Sequence, residues 1–225
     1  MNAPARMADK VRPPARIKAV IFDCDGTLVD SEPIGLAALL DEAAVHGLAM
    51  DASEAEVRFK GISMAVCVQE IERRLGHSVP EDFVSQVRKR MSRYFRERLE
   101  AIPGAQAVMA DLKLPYCIAS NGPRAKIELT LDICGLLPLI RGPIFSAYDI
   151  GHWKPAPGLF LHAAESMGFD PQQCAVVEDS LPGMEAGLAA GMKVFALCAL
   201  EDIPIHLRAR VERIDSLCEL LGRLA

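Results

Sequence analysis

Residues 17–27 read Ile-Lys-Ala-Val-Ile-Phe-Asp-Cys-Asp-Gly-Thr: a short apolar run that stops at two acids, a glycine and a hydroxyl. Such a run, ended by polar turn-formers, predicts a buried strand that delivers a loop at its carboxyl end. The pattern recurs outward from it. Tyr116–Ala119 precedes Ser120-Asn121-Gly122, Ile144-Phe145 precedes Ser146, Cys174–Val177 precedes Glu178-Asp179-Ser180, and Val194–Leu197 comes last. Between these runs, Arg124–Cys134, Pro157–Met167 and Leu181–Ala190 carry amphipathic helical spacing. Alternation of this kind predicts an α/β fold, a parallel sheet with helices on both faces. Ligands in such sheets sit at the carboxyl ends of the strands, where every polar cluster just quoted falls.

One stretch breaks the alternation. Residues 33–100 read as helices only, which predicts an all-helical insert, with residues 15–32 and 101–225 making the α/β core. Ser53 and Glu56 have the spacing of a capping box. Phe83, Val87, Met91, Phe95 and Leu99 recur every four residues, the apolar stripe of one long helix. Its other side carries Arg88, Lys89, Arg90, Arg93, Arg96 and Arg98, which reads as a solvated face or as an attractor of anionic substrate. The tail to Pro14, rich in Pro and Ala, reads as loose.

Composition narrows the function. The chain has 225 residues, 51% hydrophobic and 24% charged, with a mean hydropathy of +0.18, enough for a sizeable core without disulfide or metal staples. A net charge of −5 argues against a duplex-binding surface, and an aromatic fraction of 5% against a stacking platform for single strands. The seven cysteines are odd in number and none has C-x-x-C spacing, so reduced, mostly buried thiols are expected. No signal peptide and no apolar run of membrane-spanning length is read, which gives a cytoplasmic expectation. A monomer or weak homo-oligomer, with no nucleic-acid or membrane partner, completes that picture.

The chemistry gathers at the strand ends. Asp23 and Asp25, two apart in extended chain, point the same way. Carboxylates that close repel unless a proton or cation lies between them, and Mg²⁺ is the hard, oxygen-loving choice. Ser120-Asn121-Gly122 reads either as a helix cap or as an anion site of hydroxyl and backbone N–H groups. Lys154 reads as a solvated loop lysine or a phosphate clamp. Glu178-Asp179-Ser180 caps the next helix or completes a metal shell. Cys24, facing away from the acids, reads as packing. Gly183 and Gly187 on one helix predict close approach to the sheet, and Gly191 a helix end. His152, near Lys154, reads as a surface residue.

The ordered set D-x-D-G-T, S-N-G, K-P, E-D-S resembles the haloacid dehalogenase-like hydrolase superfamily, in the branch with a small helical cap after the first strand. The resemblance spans about Arg16 to Leu200 and implies a Rossmann-like core. It implies that Asp23 is the nucleophile, forming an aspartyl-phosphate, and that Asp25 is the acid and base. Mg²⁺ would be held by Asp23, the Asp25 carbonyl and Asp179, with Glu178 in or behind the shell. Ser120, Asn121 and Lys154 would hold the phosphoryl group. Residues 22–32, 58–61, 99–105, 120–123, 148–155 and 177–180 are also similar to bacterial members acting on a phosphorylated sugar acid of the 6-phosphogluconate type. Arg58, Lys60 and Ser63 in the insert are then candidates for substrate selection.

A phosphatase of a small phosphorylated sugar or sugar acid is the expectation. A β-phosphoglucomutase-like mutase is the alternative. It is disfavoured because Met64 follows Ser63 where mutases carry Arg, and Pro33-Ile34-Gly35 stands where they place His. A metal-free dehalogenase would not need Asp25 and Glu178-Asp179. A phospho-accepting regulator would need neither an insert nor an acid/base.

Overall fold

The computed structural model describes residues 16–59 and 62–224; the N-terminal tail and Lys60 lie outside the described residues. Six strands form one parallel sheet: β1 (Ala19–Phe22), β2 (Tyr116–Ser120), β3 (Ile144–Ser146), β4 (Cys174–Glu178), β5 (Lys193–Ala196) and β6 (Glu212–Arg213). Their order is β3-β2-β1-β4-β5-β6. The chain winds from β1 toward one edge, then crosses back and winds toward the other. The crevice between β1 and β4 is therefore the topological switch point, where loops diverge above and below the sheet and leave room for a ligand.

Among the described residues there are ten α-helices: α1 (Glu32–Val45), α2 (Ala52–Phe59), α3 (Met64–Leu75), α4 (Phe83–Arg98), α5 (Ala105–Asp111), α6 (Arg124–Ile133), α7 (Ala147–Ile150), α8 (Gly158–Met167), α9 (Leu181–Ala189) and α10 (Leu217–Arg223). Residue alternation in the strands builds two cores. Val20, Phe22, Ile118, Val177 and Phe195 point to one face, under Met109 of α5, Ile127 and Leu131 of α6, and Leu217 and Leu220 of α10. Ala19, Ile21, Cys117, Val176 and Val194 point to the other, under Leu159 and Phe160 of α8 and Met184 and Ala186 of α9. Cys24 is fully buried in the first of these cores, as read.

Helices α1–α4 have a separate core of Leu39, Ala43, Ala55, Phe59, Cys67, Ile71, Phe83 and Val87. The linkers into and out of this block run side by side: the Asp30 N–H donates to Glu100 at 3.0 Å and the Ile102 N–H to Leu28 at 2.9 Å. Phe95 and Leu99 carry the apolar stripe of α4 into the main core, so the block is seated near the end of β1.

Four details depart from the sequence reading. A sixth strand, β6, pairs on the edge beyond β5. The short helix α7 lies in a stretch with no readable period. The turn before α2 is organised by Asp51, whose carboxylate accepts the Ser53 N–H at 2.8 Å; Ser53 lies inside the helix, so the capping-box reading fails there. Arg90 leaves the solvated face of α4 and donates to Glu42 of α1 at 2.8 Å, an ion pair within the helical block. Arg88, Lys89, Arg93, Arg96 and Arg98 stay exposed, as read.

Candidate active site

Asp23 follows β1 directly, and its N–H donates to Val177 of β4 at 3.0 Å. Phe22 is in register with Val177, so the first acid after β1 lies beside Glu178 at the end of β4. Parallel register thus sets two carboxylates next to each other at the switch point. One oxygen from each of Asp23, Glu178 and Asp179 lies within 4.8 Å of the others.

One ammonium enters this cluster from below. Lys154 Nζ donates to Asp23 Oδ1 at 2.5 Å and to Glu178 Oε1 at 2.6 Å. Its side chain is only 3% exposed, and it packs over the Phe160 ring of α8. Burial opposes its charge, but Asp23 and Glu178 outweigh that and raise its pKa. The lysine is a fixed buried cation, which removes the solvated-loop alternative.

The loop carrying it is held by Asn121. The Asn121 Oδ1 accepts the Lys154 N–H at 3.0 Å, and the Nδ2 donates to the Lys154 carbonyl at 3.4 Å. Asn121 thereby ties the end of β2 to the lysine loop. Ser120, 1% exposed, accepts the Gly122 N–H on its Oγ at 3.0 Å, and Ser146 Oγ donates to the Gly122 carbonyl at 2.7 Å.

The acids divide by environment. Burial first, then the Glu178 and Asp25 carboxylates, raise Asp23 to about 7 against the pull of Lys154. Burial, Glu178 and Asp23 push Asp179 well above the ordinary carboxylate value, although Thr27 Oγ1 donates to its Oδ1 at 2.8 Å. For Asp25 burial acts in the same sense but is outweighed: Lys126 Nζ lies 2.9 Å from its Oδ1 and Ser31 Oγ donates to that oxygen at 2.5 Å, so its pKa is lowered. Three clustered carboxylates face one ammonium at the switch point. A divalent cation with hard oxygen preference fits that donor set, because it would relieve the repulsion that raises Asp23 and Asp179.

The fold, the switch-point carboxylates and the buried lysine match a known pattern. The haloacid dehalogenase-like hydrolase family matches residues 17–191. This chain belongs to that family. It is 38% identical over 186 residues to the 6-phosphogluconate phosphatase of Escherichia coli K12, covering 82% of this chain and 84% of that protein. It is 31% identical over 215 residues to hexitol phosphatase A of the same strain, covering 93% and 94%. A family hydrolase from Deinococcus radiodurans, solved with bound phosphate and sodium, superposes with a TM-score of 0.76 at 30% identity, covering 94% of this chain and 96% of that one. The chain is a phosphatase of the family.

Of the residues singled out in the sequence, Asp23, Asp25, Ser120, Asn121, Lys154, Glu178 and Asp179 stand together at the strand ends of this haloacid dehalogenase-like core. Glu178 is fully committed: Oε1 holds Lys154, and Oε2 accepts the Ser180 N–H at 3.0 Å and its hydroxyl at 2.8 Å. Arg58 is spent within the helical block, pairing with Glu54 at 3.0 Å and lying 3.6 Å from Glu70. Ser63 is the N-cap of α3, accepting the Val66 N–H at 3.5 Å. His152 is exposed, as read, and lies against Gly158.

The sequence assigns no role to the Thr27, Ser31 and Lys126 side chains. For Lys126 a signal existed: it is the third residue of α6, and helical side chains lean toward the N-terminus, back over the Ser120 loop.

Helix α9 rests on this site through glycine. A Cβ on Gly183 would lie 1.8 Å from the Glu178 carboxylate. The Gly183→Ala variant gains about 1 kcal/mol of helix propensity. The overlap costs more, about 1–3 kcal/mol, and displaces the carboxylate that holds Lys154. The expected result is a melting temperature lower by several degrees together with weakened phosphatase activity. A variant that melts higher than wild type would show that α9 has room to shift.

Proposed function

We propose that this chain is a Mg²⁺-dependent phosphatase of a small phosphorylated sugar or sugar acid, working through an aspartyl-phosphate on Asp23. The observation that carries the reading is the Asp23 carboxylate, held by the buried Lys154 ammonium beside Glu178 and Asp179. Asp23, Asp179 and the Asp25 carbonyl would hold the cation, with Glu178 behind them fixing Lys154. The bound cation supplies charge neutralisation for the phosphoryl oxygens and for the crowded carboxylates.

Asp23 attacks phosphorus in line, and the ester P–O bond breaks as the Asp23–phosphorus bond forms. Asp25, ionised in the free protein by Lys126 and Ser31, receives a proton brought by the phosphoester monoanion and passes it to the departing alkoxide, then takes one from the water that attacks the aspartyl-phosphate. Ser120, the backbone N–H groups beside it and Lys154 face the transferring oxygens; Asn121 keeps the lysine loop in place. Stabilisation of spread negative charge by fixed donors is the main work in phosphoryl transfer.

Residues 33–100 act as a cap over this site, and residues 15–32 and 101–225 as the catalytic core. The paired linkers and the separate core of α1–α4 support that division. Lys60 falls in sequence between α2 and α3, and a cation there suits the carboxylate of a sugar acid. Arg58, near the end of α2, and Ser63, the N-cap of α3, stand on either side of it in sequence, with Arg58 needing to exchange Glu54 for substrate to take part. Seven cysteines with no disulfide among them fit a reducing cytoplasm. Among the described residues no helix is long and apolar enough to cross a membrane.

The test is phosphate release across a panel of sugar, hexitol and sugar-acid phosphates, 6-phosphogluconate included, with Mg²⁺ and after chelation. A sugar or sugar-acid ester should lead the ranking, and chelation should remove at least about 90% of the activity, restored by added Mg²⁺. A rearranged sugar phosphate without phosphate release makes the chain a mutase. Full activity after exhaustive chelation ends the metal assignment.

A further inference from the structure

Asp25 presents two oxygens to two different surroundings. Its Oδ1 receives both the Ser31 hydroxyl at 2.5 Å and the Lys126 ammonium at 2.9 Å. Its Oδ2 lies toward Gly122: a Cβ built there would sit 3.5 Å from that oxygen and 3.4 Å from Ser120 Oγ. The bare backbone of Gly122 therefore keeps open a space bordered by Asp25 Oδ2 and the Ser120 hydroxyl. The Lys126 stem lies along the same space, with Cδ 3.6 Å from that Cβ position.

We propose that Lys126 is a positioning residue that occupies one oxygen of Asp25 and thereby aims the other, Oδ2, at the reacting phosphoester. The inference rests on the reading of Asp25 as acid and base. The Oδ1–Lys126 pair fixes rotation of the carboxylate about its terminal bond, a soft torsion that side-chain packing alone leaves broad. The phosphoester monoanion brings a proton to Oδ2, the oxygen Lys126 leaves unoccupied, and Oδ2 passes it to the bridging ester oxygen as its bond to phosphorus breaks and the Asp23–phosphorus bond forms. In the second half, water attacks that phosphorus, its proton returns to Oδ2, and the Asp23 carboxylate is regenerated.

The surroundings of Lys126 suit this duty better than a surface role. Its side chain is 26% exposed. Its ammonium lies 5.9 Å from the centre of the Phe95 ring, on α4 of the helical block. The lysine is thus pressed between core and block with its charge directed at Asp25. Nothing in the proposal has Lys126 touching substrate.

The experiment compares kcat/KM on an alkyl ester, 6-phosphogluconate or the best sugar phosphate of the panel, with that on p-nitrophenyl phosphate. An alkoxide needs the proton from Asp25 to leave; nitrophenolate leaves without it, and kcat/KM reports only the first transfer. In Lys126→Met the alkyl ester should lose about 10–100-fold and p-nitrophenyl phosphate less than about 3-fold. Lys126→Arg should restore most of the alkyl activity. Inhibition by inorganic phosphate should stay within about 3-fold of wild type, since the phosphoryl holders are untouched.

Equal losses on both esters, or none on either, overturn the proposal. Should Lys126→Met fail to fold, Ser31→Ala removes the other donor from the same oxygen and must show the same selective loss. Asp25→Asn separates the two levels of argument. If that variant has no preference for the good leaving group, the acid role of Asp25 itself falls. If it has one and Lys126→Met does not, only the positioning role falls.

Discussion

Asp23→Asn should release no measurable phosphate from any ester, an expected loss of at least about a thousandfold. The amide is nearly the same size as the carboxylate, but it is a poor nucleophile and no longer offers an anionic oxygen to a cation. The fold should tolerate the change well. Asp23 is buried, and burial with the Glu178 and Asp25 charges raises it to about 7 against the pull of Lys154. Replacing it by a neutral amide relieves that repulsion, while Lys154 keeps Glu178 as partner at 2.6 Å. The variant should therefore melt at or above the wild-type temperature in chelator while remaining inactive. Phosphate release and a thermal melt on the same preparation check both halves. Near-normal turnover would remove the covalent mechanism, and a large fall in melting temperature would mean that Asp23 is structural.

The contrast between that inert fold and its lost chemistry mirrors what the sequence disclosed. β1, β2 and β4 are buried along their whole length, so their apolar runs are unbroken and end sharply at polar residues. Chemistry confined to strand ends was legible for the same reason. Features set by distant partners were not. β6 is two residues long and exists through pairing with β5, leaving no period to read. Asp51 and Ser53 both carry oxygen near the start of α2, and only the backbone path decides which one organises the turn. That the Asn121 side-chain amide holds the Lys154 backbone has no sequence signal, because the two meet only across the fold. Lys126 has no motif of its own; its meaning comes from the distance to Asp25.

Glycine shows the boundary well. Gly26 was legible as a turn former, and it has φ of +81°. That a Cβ there would lie 2.1 Å from Asp179 Oδ2 was not, because the two meet only through the β1–β4 register. The turn after the first strand is thus shaped both by backbone conformation and by the need to admit a carboxylate from β4.

Lys154→Met carries the second large effect, and it moves stability and chemistry together. The ammonium is the shared partner of Asp23 Oδ1 and Glu178 Oε1, with 3% of its side chain exposed. Methionine fills much of the stem's volume but leaves two buried carboxylates facing each other. Breaking a buried ion pair from one side costs about 3–5 kcal/mol. For a chain of this size that lowers the melting temperature by roughly 6–20 °C. Part of the cost is escaped when a carboxylate takes up a proton, which further disables Asp23 as nucleophile. Phosphatase activity should fall by at least about a hundredfold, since a fixed positive charge facing the transferring oxygens is lost as well. Adding Glu178→Gln separates the two effects. The double variant removes the opposing carboxylate charge, so it should recover part of the stability measured by denaturant unfolding. It should recover none of the activity, because neither the ammonium nor the acid that fixes it is restored. Recovery of both would mean that Lys154 serves the fold alone.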